Sequence, residues 1–286
     1  MSLPTRNVRL QLAHGSLFWR EVGMGLPLVF LHGTWQDGEQ WMPLLQYLGS
    51  SASSGERIPR RNNRTEGYHC FAPDLLGFGE SSRPKLPYSI DLEVEVLAEW
   101  LDSLRCPPVV LVAEGLGGWI AASYALRFPE RVCGLVLIAP EGVQTKTRRW
   151  GLERSLAGRF PWRAWGLQCI APVARLLGWP WVAHQLAWRR ELRRSPAACD
   201  ILFRRRSRLI AAEQLDEKVG WLKVPVLLLQ GEEANSTTVA LTHTYAAAPL
   251  CELRILPGGD DLVHTEAEAI AAEIRTWLQT LNSKTK

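Results

Sequence analysis

Four acids and two histidines are the residues whose chemistry first draws the eye: Glu114, Glu141, Asp260 and Asp261, with His32 and His264. Carboxylates gathered at one site bind a cation or carry raised pKa values, because neighbouring like charges disfavour joint ionisation. The spacing of these residues fits no known metal-ligand pattern, so no metal and no cofactor is expected. Solvated or locally hydrogen-bonded acids are the plainer reading. The six cysteines are scattered without a C-x-x-C pair, which fits reduced thiols in a cytoplasmic protein.

The stretch that would position such groups runs from Val109 to Ala121. Pro107 and Pro108 precede five apolar residues, Val109 to Ala113, which suit a strand covered on both faces. Glu114, Gly115, Leu116, Gly117 and Gly118 then turn the chain into an alanine-rich helix reaching Phe128. Strand, tight turn and helix are the setting of the G-x-S-x-G nucleophile elbow, whose serine sits in a strained backbone conformation that exposes its hydroxyl. Here the middle residue is Gly115. Glycine takes that conformation with little strain, so the turn is kept and the reactive oxygen is gone.

Alternating patterns surround this unit. Val8 to Leu12 and Ser16 to Glu21 read as a hairpin, Leu26 to Leu31 as a buried strand running into His32-Gly33-Thr34-Trp35, and Gln40 to Leu48 as a helix. Residues 49–67 read as a flexible polar insert. Tyr68 to Ala72, Arg131 to Ala139, Val224 to Gln230 and Cys251 to Leu256 read as further strands. Ser89 caps a helix to Leu104 with Glu93, Glu95 and Glu99 on its polar side. Thr265-Glu266-Ala267-Glu268 reads as a capping box opening a last helix, with Ile270, Ile274, Trp277 and Leu281 on its buried face. Strand–helix alternation with short links predicts an α/β fold, a mostly parallel sheet flanked by helices.

The net charge of +4 conceals an uneven distribution. Residues 143–218 carry 16 lysines and arginines against six acids, and six of the 13 tryptophans. Several short helices are expected there. One begins at Pro180, with Trp181, Gln185, Trp188 and Leu192 on one stripe. No apolar run is long enough to span a membrane and no secretory signal is read at the start, so a cytoplasmic protein is expected.

Taken together, these residues resemble the α/β-hydrolase family, of the AB hydrolase-1 type with a helical lid. The resemblance rests on His32-Gly33 after a strand, Asp74-x-x-Gly77-x-Gly79-x-Ser81, the elbow unit, Phe128-Pro129-Glu130-Arg131-Val132, Leu229-Gln230-Gly231-Glu232 and Leu256-Pro257-Gly258-Gly259, all in order. It covers nearly the whole chain outside 49–67 and 143–218. It implies a core of 1–142 and 219–286 with 143–218 as an inserted lid. A working member needs a nucleophile, a histidine base and an acid to orient it. The resemblance puts these at Gly115, Asp261 and Ala234, so all three positions are substituted. Glu141 stands where some relatives carry the acid, His264 lies three residues past the histidine position, and His32 shapes its own turn. Glu114 precedes the vacant position. With His32, His264 and Glu141, it and Trp35 make up the expected pocket residues. The oxyanion hole, backbone N–H groups of Thr34 and Leu116, tolerates side-chain change and is expected to survive.

Arginine and tryptophan interleave in the expected lid, at Trp162, Arg163 and Trp165 and again at Trp188, Arg189 and Arg190. Three uses fit: a plain lid packed on the body, an anionic membrane surface, or an acidic protein partner. Nucleic acid is not expected, as no nucleic-acid motif accompanies the charge. The expectation is a non-catalytic member that binds a small apolar ligand, a lipid surface or a protein through lid and emptied pocket. The alternative is an esterase, thioesterase or lyase working with unorthodox groups. Binding members of the family, such as neuroligin-type adhesion proteins, N-myc downstream-regulated proteins and the gibberellin receptor, give the first reading its precedent.

Overall fold

The computed structural model describes residues 4–50, 67–144, 151–158 and 160–284. Most of the expected polar insert at 49–67 lies outside them, as do Trp150 and Arg159 of the expected lid.

Strands β1 (Arg6–Leu12) and β2 (Gly15–Gly23) form the expected hairpin, Leu12 facing Gly15 across the turn. β3 (Leu26–Leu31), β4 (Tyr68–Asp74), β5 (Val109–Glu114), β6 (Val132–Ile138), β7 (Val226–Gly231) and β8 (Cys251–Leu256) complete one eight-stranded sheet. Its order is β1-β2-β4-β3-β5-β6-β7-β8. β1, β2 and β4 pair antiparallel; every later pairing, from β3–β4 to β7–β8, is parallel.

Side chains alternate across a strand, so a strand covered on both faces feeds two cores. In β3, Val29 and Leu31 join the apolar cluster on one face and Leu28 and Phe30 the cluster on the other. In β5, Leu111 and Ala113 oppose Val110 and Val112 in the same way. Helices α1 (Met42–Ser50) and α11 (Ala267–Lys284) cover the second face, α2 (Ile90–Ser103) and α3 (Gly115–Arg127) the first. Ser89 caps α2 as expected, its Oγ accepting from Leu92 N at 3.0 Å.

Between β6 and β7 the chain leaves the sheet. It forms α4 (Gly151–Ala157), α5 (Trp162–Leu176), α6 (Pro180–Arg194), α7 (Pro196–Cys199), a π-helical turn Asp200–Arg204 and α8 (Ser207–Glu213). α9 (Ser236–Tyr245) follows β7, and the short α10 (Leu262–Thr265) follows β8.

Three local expectations are corrected, and one helix is found where none was expected. Glu93 is not on a solvated face: it is 1 % exposed, because α2 is covered on that side by the Asp74–Leu76 turn, whose Leu76 N donates to Glu93 Oε2 at 3.3 Å. Thr265 does not cap the last helix; its hydroxyl donates back to Asp261 O at 3.1 Å, and α11 starts two residues later. In α6 the buried residues are Val182 and Leu192, while Trp181 is exposed. α9 was not expected, since Ser236, Thr237 and Thr238 are weak helix formers; the Asn235 side chain starts it by accepting from Thr237 N at 2.8 Å and Thr238 N at 3.0 Å.

Candidate functional site

The turn from β5 into α3 is where the fold concentrates its constraints. Gly115 has φ +52°, the left-handed region that an elbow serine would have to occupy under strain. A Cβ placed on it would meet only ordinary contacts, Gly33 Cα at 3.6 Å, Thr34 N at 3.8 Å and Glu141 Oε1 at 3.9 Å. The position therefore has room for a side chain and carries none. Gly117 is glycine for a different reason. A Cβ there would lie 2.3 Å from Leu31 O, and Gly117 N donates to His32 O at 3.1 Å, so α3 is drawn hard against the end of β3.

Glu141, beyond the end of β6, is fixed through both backbone and side chain. Its N–H donates to Gly115 O at 2.8 Å, and its carbonyl accepts from Tyr245 Oη at 2.6 Å. Its Oε1 accepts from Thr34 Oγ1 at 3.0 Å. Glu114, on the other side of Gly115, accepts at Oε2 from Gln40 Nε2 at 2.8 Å. Burial pushes the Glu114 carboxyl up to about 7, the Gln40 hydrogen bond opposing and the charges of Asp261 and Glu141 adding to the rise.

These groups line a cavity of about 740 Å³ together with Gly33, Trp35, Ala139, Asn235 to Thr238, Leu241 and Asp260. The Thr34 N–H lies at the bend, and Leu116 sits in the first turn of α3, where backbone N–H groups lack intrahelical partners. A smaller recess of about 260 Å³ shares Glu141 and Leu241 with the cavity and continues beneath α8, between Trp119, Val143, Leu202 and Ile210.

The histidines lie elsewhere. His32 is fully buried, with Nε2 accepting from Leu75 N at 3.0 Å and Nδ1 directed at Gly33 O at 2.8 Å. Burial lowers its pKa, so it is a neutral tie between two loops and not a cavity group. His264 is on the surface, its Nε2 3.9 Å from Asp261 Oδ1. Asp261 is itself exposed and Ala234 is absent from the lining; their neighbours Asp260 and Asn235 occupy that wall instead. Asn235 N and Nδ2 donate to the Asp260 carboxylate at 3.1 and 2.5 Å, clipping the loop after β7 to the loop after β8. Sequence reasoning passed over Gln40 and Asn235. The Asn-Ser-Thr-Thr run, a helix-cap signature, was the signal for the second; Gln40 left none. Among the described residues no three His, Cys, Asp or Glu side chains converge to hold a metal ion.

Of the tryptophans and arginines singled out after β6, Trp188 reaches the site: it stacks edge-on against Trp35, ring centres 5.5 Å apart at 74°. Arg189 is half-buried, and Trp162, Arg163, Trp165 and Arg190 are exposed.

Residues 28–273 match the family model described as Alpha/beta hydrolase family. The chain belongs to the alpha/beta hydrolase family. This chain is 29 % identical over 229 residues to abhydrolase domain-containing protein abhd-5.2 of Caenorhabditis elegans, across 76 % of this chain and 48 % of that protein. It is 31 % identical over 144 residues to 1-acylglycerol-3-phosphate O-acyltransferase ABHD5 of Sus scrofa, across 46 % of this chain and 36 % of the relative. The chain thus spans about half the length, or less, of these curated relatives. Among solved structures, a bacterial membrane phospholipase A superposes with a TM-score of 0.70 at 23 % identity, over 97 % of this chain and 87 % of the other, a likeness of fold.

Proposed function

We propose that this α/β-hydrolase-fold protein binds a small, largely apolar ligand at the elbow cavity and does not hydrolyse it. The observation that carries the reading is the bend itself: Gly115 stands at φ +52° with room for a side chain, and no histidine or cysteine is among the described residues lining the cavity. Acyl transfer through an elbow needs a nucleophile and a base to take its proton. What remains is a binding geometry. Backbone N–H groups at Thr34 and the start of α3 suit a carbonyl or carboxylate oxygen. Glu141, held by Thr34, suits a donor beside it. The recess beneath α8 suits an apolar remainder, and the helices after β6 act as the lid, Trp188 resting on Trp35 at its edge.

A fluorophosphonate probe and a panel of short acyl esters test this directly. No covalent adduct and no turnover above buffer are expected, whereas native mass spectrometry of the purified protein shows a retained small molecule. Labelling of any residue by the phosphonate refutes the reading. One observation favours a second reading, an enzyme with unorthodox groups: Glu114, with its pKa about 7, is able to exchange a proton at neutral pH. A curated relative is also named as an acyltransferase. Turnover that disappears in Glu114→Gln would establish that reading in place of the first.

A further inference from the structure

The helices after β6 turn an apolar face outward. Along α5, Trp162, Trp165, Cys169, Val173 and Leu176 follow one another at steps of three or four residues, and all five are exposed, Trp162 at 67 % and Leu176 at 88 %. At about 100° per residue they fall within roughly 80° of arc. The opposite side of the same helix, Ala164, Leu167 and Ala174, is buried. The stripe therefore does not belong to the core. It continues round the α5–α6 turn into Leu177, Trp179 and Trp181, all exposed.

The charges around this face have one sign. Residues 160–194 hold six arginines and a single acid, Glu191, which is paired with Arg194 at 2.8 Å. Arg163 and Arg175 are exposed and project about 120° to either side of the stripe. That is the position from which a guanidinium reaches the headgroup layer while the apolar stripe sinks below it.

We infer that the outer face of α5, with the α5–α6 turn, docks on an anionic lipid bilayer, the helix lying in the plane of the interface. Arginines on both flanks of one stripe complement an anionic surface, each basic residue near it adding about 1 kcal/mol, or about fivefold in partitioning. Tryptophan is favoured at that depth because its ring is apolar and its N–H stays wet. This inference does not depend on what occupies the elbow cavity.

Co-sedimentation of the full chain with vesicles tests it. Binding is expected to phosphatidylcholine vesicles containing phosphatidylserine at low salt, with little binding to phosphatidylcholine alone and a marked loss at high salt. Trp162→Ser with Leu176→Ser is expected to lower partitioning at least tenfold. Arg163→Ala and Arg175→Ala lower it about fivefold each. Trp221→Ser, at an exposed tryptophan elsewhere on the molecule, leaves it unchanged. All these side chains are exposed, and an unchanged melting temperature confirms that each variant is folded. Absence of binding to anionic vesicles at low salt overturns the inference, as does binding indifferent to the stripe variants. A dimer in sedimentation velocity that Trp162→Ser with Leu176→Ser dissociates, without vesicle binding, assigns the face to a second copy and overturns it equally.

Discussion

Placing a hydroxyl at the bend, Gly115→Ser, separates the geometry of the bend from its chemistry. Position 115 has φ +52°, so any L-residue there incurs about 1–2 kcal/mol of backbone strain. The new Cβ meets nothing closer than 3.6 Å, so packing adds no further penalty. A loss on the order of 1–2 kcal/mol lowers the melting temperature of a chain this size by about 2–8 °C. The variant therefore folds, with a hydroxyl beside the Thr34 N–H and near Glu141 Oε1. No imidazole is among the described residues lining the cavity, and Glu141 already accepts from Thr34 Oγ1. In a serine hydrolase, removing the general base alone costs about 10⁶ in kcat. Against an ordinary kcat of about 10 s⁻¹, the expected rate is on the order of 10⁻⁵ s⁻¹, below what a p-nitrophenyl ester assay resolves from buffer. Gly117→Ala is the paired control. Its methyl would lie 2.3 Å from Leu31 O and 2.8 Å from His32 O, both backbone, so a loss of about 3 kcal/mol or more is expected. Phosphonate-sensitive turnover by Gly115→Ser above about 10⁻² s⁻¹, a thousandfold over that expectation, would refute the reasoning, because a base would then be acting at the bend.

Two other variants probe the surrounding frame. Burial pushes the Glu93 carboxyl up to about 8, so between its unfolded value of 4.5 and about 8 the native state binds the extra proton. Stability is therefore fully present below that window and falls as pH rises through it, by at most about 5 kcal/mol. Urea midpoints measured at pH 5 and pH 8.5 should diverge more for the native protein than for Glu93→Gln, and parallel midpoints would show that Glu93 does not carry the effect. Arg205 pairs with Glu213 (Nη1 to Oε1 at 2.7 Å) with both side chains largely out of solvent. Arg205→Ala is expected to lose about 3–5 kcal/mol by stranding the carboxylate, and adding Glu213→Gln should recover much of it; additive losses in the double-mutant cycle would deny the coupling.

How far the sequence could be read depended on whether a residue's partners were local. β3 and β8 come out at their expected bounds because glycine turns or proline close them on at least one side, and Ser89 caps α2 because a cap is decided within three residues. The bend at Gly115 was legible for the same reason. Glu93 was misplaced because its burial is decided by a loop 17 residues away, which no periodicity of α2 encodes. The stripe on α6 was misread because tryptophan is the largest apolar side chain. On that helix the smaller Val182 is the one turned inward, leaving Trp181 outside. In the site, glycine at the bend and an aspartate, Asp261, where the resemblance expects a histidine were visible in one dimension. The wall made by Asn235 and Asp260 was not, because it arises only where two loops meet.

The bend also shows how its geometry is held with glycine at position 115. Its backbone joins three strands. Gly115 O accepts from Glu141 N at the end of β6, Gly117 N donates to His32 O at the end of β3, and Gly115 itself follows the last residue of β5. His32 in turn carries the link to Leu75 N after β4. None of these bonds uses the side chain at 115. Each closes a buried backbone group that would otherwise be left unpaired at the strand ends, a loss of about 1–3 kcal/mol apiece. The geometry that would present a serine is thus held by the packing of the sheet, independently of any chemistry done there. The cavity it frames has the Thr34 N–H at the bend and three carboxylates, Glu114, Glu141 and Asp260, in its lining.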